Sequence, residues 1–489
     1  MDKQLLKNYI YNISYQLVKI VFPLITVPFL YSHIGAATLG ISDFASNIAA
    51  WFILFGILGV NTYGNREIAK IRDDKDKLSK TFFEIFAMQV INMLIATVFY
   101  FIYVFITVSK NLDIYILTGL VLLASMFDIT WFFYGVEDFK KASIRNIIVK
   151  VIGVGLILLV IRKPEDLWLY VLINSGSELI GQAIMFFQLK QYIDFKKISL
   201  AEAYRHHFKN TFVLFLPTIA ISIYTLLDQT MLGYLYNTLH LNYYKTSMSI
   251  IKMFLYFITS IGSVMLPRVT NVYYNDGNGQ KKAQEMIKQT MKIALLFAIP
   301  MCFGMMGIAN RFISWYLPSD PEIASLIILG CPIIIFISMS NVTGIQYMVP
   351  TGMYKQYTQS VVLGAIVNFF INLLLISRFG AYGAIIGSLI AEFTVTLVQI
   401  IVIKRETGLW LFSLNDIKYF IAAFFMTIVV YFSGEWFSVL LLGFPFKPDF
   451  ICNLMQVIFG AITYFFVLII TREELVTKIL NKVKNHAQA

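Results

Sequence analysis

Apolar runs long enough to cross a hydrocarbon core, which takes roughly 20 residues as a helix, follow one another along almost the whole chain. They lie at Tyr9–Leu30, Asp43–Tyr63, Phe82–Val108, Ile114–Tyr134, Ile147–Ile161, Leu167–Leu189 and Thr211–Tyr234. A second series runs through Tyr243–Leu266, Ile293–Trp315, Ala324–Val349, Val361–Ser377, Tyr382–Ile403, Ile417–Phe437 and Phe450–Thr471. This pattern predicts an all-α integral membrane protein of about fourteen transmembrane helices. No polar gap is large enough to predict an extramembrane domain. The short stretch Met1–Lys7 leads into an apolar run without a small-residue cleavage site, which predicts a retained first helix.

Lysine and arginine orient the spans, because cytoplasmic loops keep positive charge. With the N-terminus inside, the segments Arg66–Lys80, Lys140–Lys150, Lys190–Lys209, Arg268–Lys292, Lys404–Lys418 and the tail after Arg472 all fall in the cytoplasm. About thirty of the 39 basic residues are then inside. Both termini are therefore expected in the cytoplasm. The formal charge of +11 is explained by this distribution, since no basic face with interleaved aromatics points to nucleic acid.

Composition agrees: 58% of the 489 residues are hydrophobic and 14% charged, with mean hydropathy +0.72, where a soluble domain is about one quarter charged. Cys302, Cys331 and Cys452 each lie in an apolar run without CxxC spacing, so free thiols are expected, with neither disulfides nor a metal site. The stretch Gln191–Asn210 reads as a solvated basic loop connecting two halves. Its adjacent His206 and His207 would point to different faces of a helix, which argues against a metal pair.

The halves resemble each other. Glu178 precedes Lys190 as Glu392 precedes Lys404, and Arg162 and Arg378 stand before the corresponding spans. Repeats of this kind mark transporters. The expected organisation is a six-helix lobe over residues 1–195, a cytoplasmic connector over 196–209, a second six-helix lobe over 210–410, and two extra helices with a tail over 411–489.

No phosphate loop, nucleophile elbow or HExxH pair occurs, so no enzyme chemistry and no cofactor is expected. What stands out is charge inside the spans, where an ionisable group costs at least about 2.5 kcal/mol unless it faces protein or water. The first span carries a polar stripe of Asn8, Asn12, Tyr15, Lys19 and Thr26, and the eighth carries Ser249, Lys252, Tyr256, Thr259 and Ser263. Lys19 is too deep to reach the headgroups comfortably. Lys252 is open to two roles, an anion contact or an ion pair with Asp228. Asp128, Asp228, Glu178 and Glu392 are candidates for charge pairing or for binding a coupling proton or sodium ion. Asp43 is a candidate for the same roles, or a helix cap with a favourable dipole contact. Pro23, Pro28, Pro217, Pro300 and Pro332 allow kinks, and Tyr243, Tyr244, Tyr273 and Tyr274 read as an interfacial belt.

The strings Tyr63–Lys80 (YGNREIAKIRDDKDKLSK), Asp128–Val149 (DITWFFYGVEDFKKASIRNIIV), Leu216–Gly233 (LPTIAISIYTLLDQTMLG) and Met265–Val269 (MLPRV) resemble the Wzx or RfbX type of polysaccharide flippase. That family lies within the multidrug/oligosaccharidyl-lipid/polysaccharide exporter superfamily. The resemblance covers nearly the whole chain. It implies a MATE-like fold, with two six-helix lobes around a central cavity plus two C-terminal helices, in a bacterial plasma membrane. It implies a substrate, a polyprenyl-diphosphate-linked oligosaccharide repeat unit, for O-antigen, capsule or exopolysaccharide assembly, and a polysaccharide polymerase as a partner. It also implies a basic cavity. The best-placed residues for the diphosphate are Lys19, Lys252, Arg66 and Arg268, with Asn12 and Tyr256 beside them. The competing functions are a multidrug antiporter on the same fold, which would favour an acidic cavity, and a membrane polymerase, which would favour a large outer loop with acid and base residues.

Overall fold

The computed structural model describes residues 21–194, 200–275, 277–440 and 448–478. Lys19 and Asn12 lie outside the described residues, as does the connector segment 195–199. Among the described residues there is no strand. Ten helices among the described residues are long and apolar enough to cross a membrane.

The chain divides into two compact units, Met1–Asn242 and Tyr243–Ala489. The first contains α1 (Val21–His33), α2 (Ala36–Ile57), α3 (Val60–Ile71), α4 (Lys75–Thr107), α5 (Leu112–Met126), α6 (Thr130–Gly135), α7 (Phe139–Val160), α8 (Leu167–Leu189) and α9 (Leu200–Leu235). The boundary falls shortly after the start of α10 (Thr238–Asn275). The second unit continues with α11 (Gly279–Tyr316), α12 (Glu322–Gly330), α13 (Pro332–Ser340), α14 (Tyr354–Phe379), α15 (Ala381–Thr407), α16 (Ile417–Leu440) and α17 (Pro448–Ile470).

Several helices begin earlier than hydropathy alone indicates. Lys140–Lys150 is not a loop. It is the first half of α7, started by Asp138, whose carboxylate accepts the Lys141 backbone N–H at 3.2 Å. The basic stretch before Asn210 is likewise helical from Leu200, and His207 is buried rather than solvated. Hydropathy misplaces both starts because polar side chains that find partners inside the protein look, in sequence, like side chains in water.

Two spans of the first unit are broken. Leu58 and Gly59 both take left-handed backbone conformations, φ 48° and 79°, and separate α2 from α3. Phe127–Ile129 separates α5 from α6. Carbonyls released at such a break need donors in a medium without water. Gln89 of α4 supplies them: its Nε2 lies 3.0, 3.2 and 2.9 Å from the carbonyl oxygens of Ser125, Met126 and Asp128. Its Oε1 accepts the Trp131 indole N–H at 2.9 Å. Gly64 permits the close seat of that indole on α3, since a Cβ there would meet the ring at 2.5 Å. Around it Tyr63, Phe82, Ile85, Phe132 and Met185 form a buried core.

Polarity is inverted relative to a soluble protein. Gln89, Asn92, Thr118, Ser175 and Gln182 are buried, whereas Phe105, Ile106 and Leu159 are 64, 77 and 71% exposed. An apolar exterior over hydrogen-bonded polar contacts is what a bilayer selects.

In the second unit α14 packs on α15, and α16 and α17 pack on each other and on α11. Tyr243 and Tyr244 are not interfacial. Both are buried; the Tyr243 hydroxyl donates to Asp320 at 2.8 Å, and the Tyr244 hydroxyl shares a 3.0 Å hydrogen bond with Ser388. Pro300 lies inside the continuous α11, and Pro332 opens α13, where its missing N–H costs nothing.

Candidate functional site

A polar cavity of about 720 Å³ lies within the first unit, bordered by α1, α5, α6, α7 and α8. Four charged side chains line it: Asp128 from the α5–α6 break, Arg145 and Lys150 from α7, and Glu178 from α8. Asn174 and Gln182 add amides.

Local chemistry sets each of them. Asp128 Oδ1 accepts the Thr130 backbone N–H at 2.9 Å and the Thr130 hydroxyl at 2.5 Å, an Asx turn that starts α6 and fixes the carboxylate. Arg145 is buried, and its Nη2 donates to Gln182 Oε1 at 3.0 Å and lies 2.6 Å from the Met185 sulfur. Its passage across α8 depends on Gly181, where a Cβ would come within 2.9 Å of Nη1. Glu178 stands one turn before Gln182 and lines the cavity together with Lys150, Asp128 and Arg145. Its accessible surface borders the cavity. The cavity thus holds two acids and two cations. Its formal charge is balanced, and a proton or a bound anion would unbalance it.

Of the residues singled out from sequence, Asp128 and Glu178 come together here. Asp43 does not cap a helix: α2 begins at Ala36, and Asp43, two turns in, accepts from Asn242 Nδ2 at 2.7 Å. Asn242 Oδ1 in turn accepts the Tyr31 hydroxyl at 2.5 Å. Asp228 is buried on α9. Arg66, inside α3 rather than at a helix end, is half exposed and pairs with Glu67 at 3.1 Å. Lys252 is half-buried, Tyr256 48% exposed and Arg268 exposed, all on α10, and Glu392 is buried on α15. None of these lines the cavity. Glu178 and Glu392 do occupy matching positions on their helices, counted from Leu167 and Ala381.

Arg145, Lys150, Asn174 and Gln182 escaped the sequence reading. The signal was present in the facing spacings: Lys141 and Arg145 stand one turn apart on α7, as do Glu178 and Gln182 on α8.

Comparison with known proteins fits this architecture. The chain is 22% identical over 407 residues, 82% of its length and 97% of the relative, to the "Putative O-antigen transporter" of Escherichia coli (strain K12). Among solved structures it matches the lipid II flippase MurJ in an inward closed conformation with a TM-score of 0.73. That match covers 96% of this chain and 100% of the other at 14% identity. An inward-facing multidrug resistance MATE family transporter of the MOP superfamily matches with a TM-score of 0.56, covering 80% of this chain and 99% of the other at 14% identity. These likenesses establish a MATE-like, all-α membrane fold. Residues 5–272, more than half of the chain, match the family model described as polysaccharide biosynthesis protein, and the chain belongs to that family.

Proposed function

We propose that this protein is a flippase that carries polyprenyl-diphosphate-linked oligosaccharide repeat units across the bacterial plasma membrane by alternating access, for assembly of a surface polysaccharide. The observation that carries the reading is the charged cavity of the first unit, where Arg145 is buried inside a helical shell whose outer surface is apolar. A diphosphate leaving water needs cations, and a charge contact in a low-dielectric site is far stronger than in solution. Arg145 offers a planar fork suited to phosphate oxygens, Lys150 a second charge, and the amides of Asn174 and Gln182 partners for sugar hydroxyls.

Asp128 and Glu178 line the same cavity and carry the opposite formal charge. A proton or sodium ion taken up by either acid would free positive charge for the diphosphate, which is the basis for coupling transport to an ion gradient. Lys19 with Asn12, and Lys252 with Tyr256, Arg66 and Arg268, are further candidate contacts along the route. Asp43, Asp228 and Glu392 are further candidates for charge pairing. Both termini lie in the cytoplasm in this reading, and a polysaccharide polymerase consumes the product on the other side.

The test is reconstitution in liposomes with fluorescently labelled polyprenyl-diphosphate oligosaccharide, with and without a proton or sodium gradient. Protein-dependent movement of label between leaflets is expected. Protein that leaves the label where it was added, under every gradient, would overturn the reading.

A further inference from the structure

A second cavity, of about 450 Å³, lies on the outer side of α7 and α8. Its floor is apolar, formed by Ile144, Ile148 and Ile184, which are 36, 50 and 38% exposed. One end carries Lys140, Lys141 and Asp138, with Asp138 3.6 Å from Lys141 Nζ, which leaves one net positive charge there. Lys141 is held there: Nζ donates to Gln191 Oε1 at 2.7 Å and to the Tyr192 hydroxyl at 2.8 Å. Asp138 accepts the Tyr192 hydroxyl proton at 2.5 Å. Lys140 beside it is exposed.

This groove and the polar cavity share a wall. Arg145 and Val149 line both. One guanidinium therefore stands where an apolar groove and a cavity lined in part by charged side chains meet, and a Cβ at Gly181 would crowd it.

Given the flippase reading on which this rests, we infer that the groove between α7 and α8 seats the first isoprene units of the substrate's polyprenyl chain. Arg145 then holds the diphosphate at the partition, and the sugars occupy the polar cavity. The match of parts is chemical. The substrate has a hydrocarbon end, an anionic joint and a hydroxyl-rich end in that order, and the structure presents an apolar groove, a buried cation and an amide-lined chamber in the same order. From Lys140 to Ile148 the groove follows about 12 Å of helix, enough for the proximal part of the chain, while the remainder stays in bulk lipid. The basic residues at its end complement the diphosphate or its approach from the headgroup layer.

The experiment compares two ligands on the full-length protein in nanodiscs: a diphosphate oligosaccharide on a full-length polyprenol, and the same head as a methyl diphosphate ester with no prenyl chain. The groove is filled by the double substitution Ile148→Trp with Ile184→Trp. Binding of the long-chain ligand should weaken about tenfold, equivalent to about 1.4 kcal/mol, while the chain-free ligand binds as to the wild type and so reports intact folding. Unchanged long-chain affinity would overturn the groove assignment while leaving the flippase reading in place. Failure of the wild type to bind either ligand would overturn both. Should the variant lose both ligands, a second measurement on wild-type protein decides. A diazirine in the first isoprene units should label peptides containing Ile144, Ile148 or Ile184, and excess unlabelled substrate should suppress that labelling. Labelling confined to other helices, or labelling here that substrate does not compete, would show bulk lipid in the groove and overturn the assignment.

Discussion

His207 on α9 lies 3.0 Å from the Glu84 carboxylate on α4 through Nε2, and its Nδ1 lies 2.7 Å from the Tyr63 hydroxyl on α3. The tautomer consistent with both contacts has Nε2–H donating to Glu84 and the Tyr63 hydroxyl donating to Nδ1. One buried imidazole thus ties three helices of the first unit together. Removing it in His207→Ala leaves the buried Glu84 short of a donor and Tyr63 short of an acceptor. A loss of about 1–3 kcal/mol is expected, read as a lower unfolding temperature of detergent-solubilised protein. His207→Gln, which can donate and accept, should recover part of it. An unfolding temperature unchanged by His207→Ala would show that the bridge contributes nothing.

Arg145→Ala should cut the flipping rate at least tenfold, about 1.4 kcal/mol of barrier, at matched protein level in the membrane. Arg145→Lys should recover little, because a point charge does not reproduce a planar fork that reaches Gln182 and the cavity together. Wild-type export by Arg145→Ala, measured as surface polysaccharide, would remove Arg145 from the substrate route, and wild-type export by Arg145→Lys would show that a point charge suffices.

Gly181→Ala tests the same residue from the facing helix. The added methyl meets Arg145 Nη1 and the Val149 side chain, so the guanidinium must shift, at a cost of about 1–3 kcal/mol typical of overpacking. Flipping should fall while the protein still inserts. Activity equal to wild type would mean that the arginine has freedom the packing does not suggest.

At the end of α17, hydrogen bonds from Lys292 and Lys478, at 2.7 Å each, push the Glu474 carboxyl down to about 2. A carboxyl whose folded value is depressed adds stability above its unfolded pKa of 4.5 and loses it as the pH falls toward about 2. Because the side chain is 43% exposed, solvent screening limits the contribution to less than about 1 kcal/mol. Glu474→Gln should therefore lower the unfolding temperature slightly at pH 7, less so in high salt, and not at all near pH 2. A salt-independent effect would point to packing instead.

The membrane class, the helical content and two of the four cavity charges were legible in the sequence. Asp128 and Glu178 were visible because acids inside apolar runs have few explanations. Arg145 and Lys150 were not, because the rule that orients spans by positive charge counts any basic cluster as a loop. It cannot distinguish a lysine in water from an arginine held by Gln182. The same confusion put His207 in solvent and Tyr243 at the membrane surface, although Glu84 and Asp320 draw them inside. Partners far apart in sequence decide burial of polar groups, and one chain read alone does not reveal them.

Gln89 shows the reverse side of this. A hydropathy scan would score its exchange for leucine as an improvement to the fourth helix, yet one amide there brings two N–H donors to the carbonyls of Ser125, Met126 and Asp128 at the break. In directed evolution or in comparing natural variants, the substitution that makes the segment look most at home in oil is the one expected to loosen the joint beside Asp128.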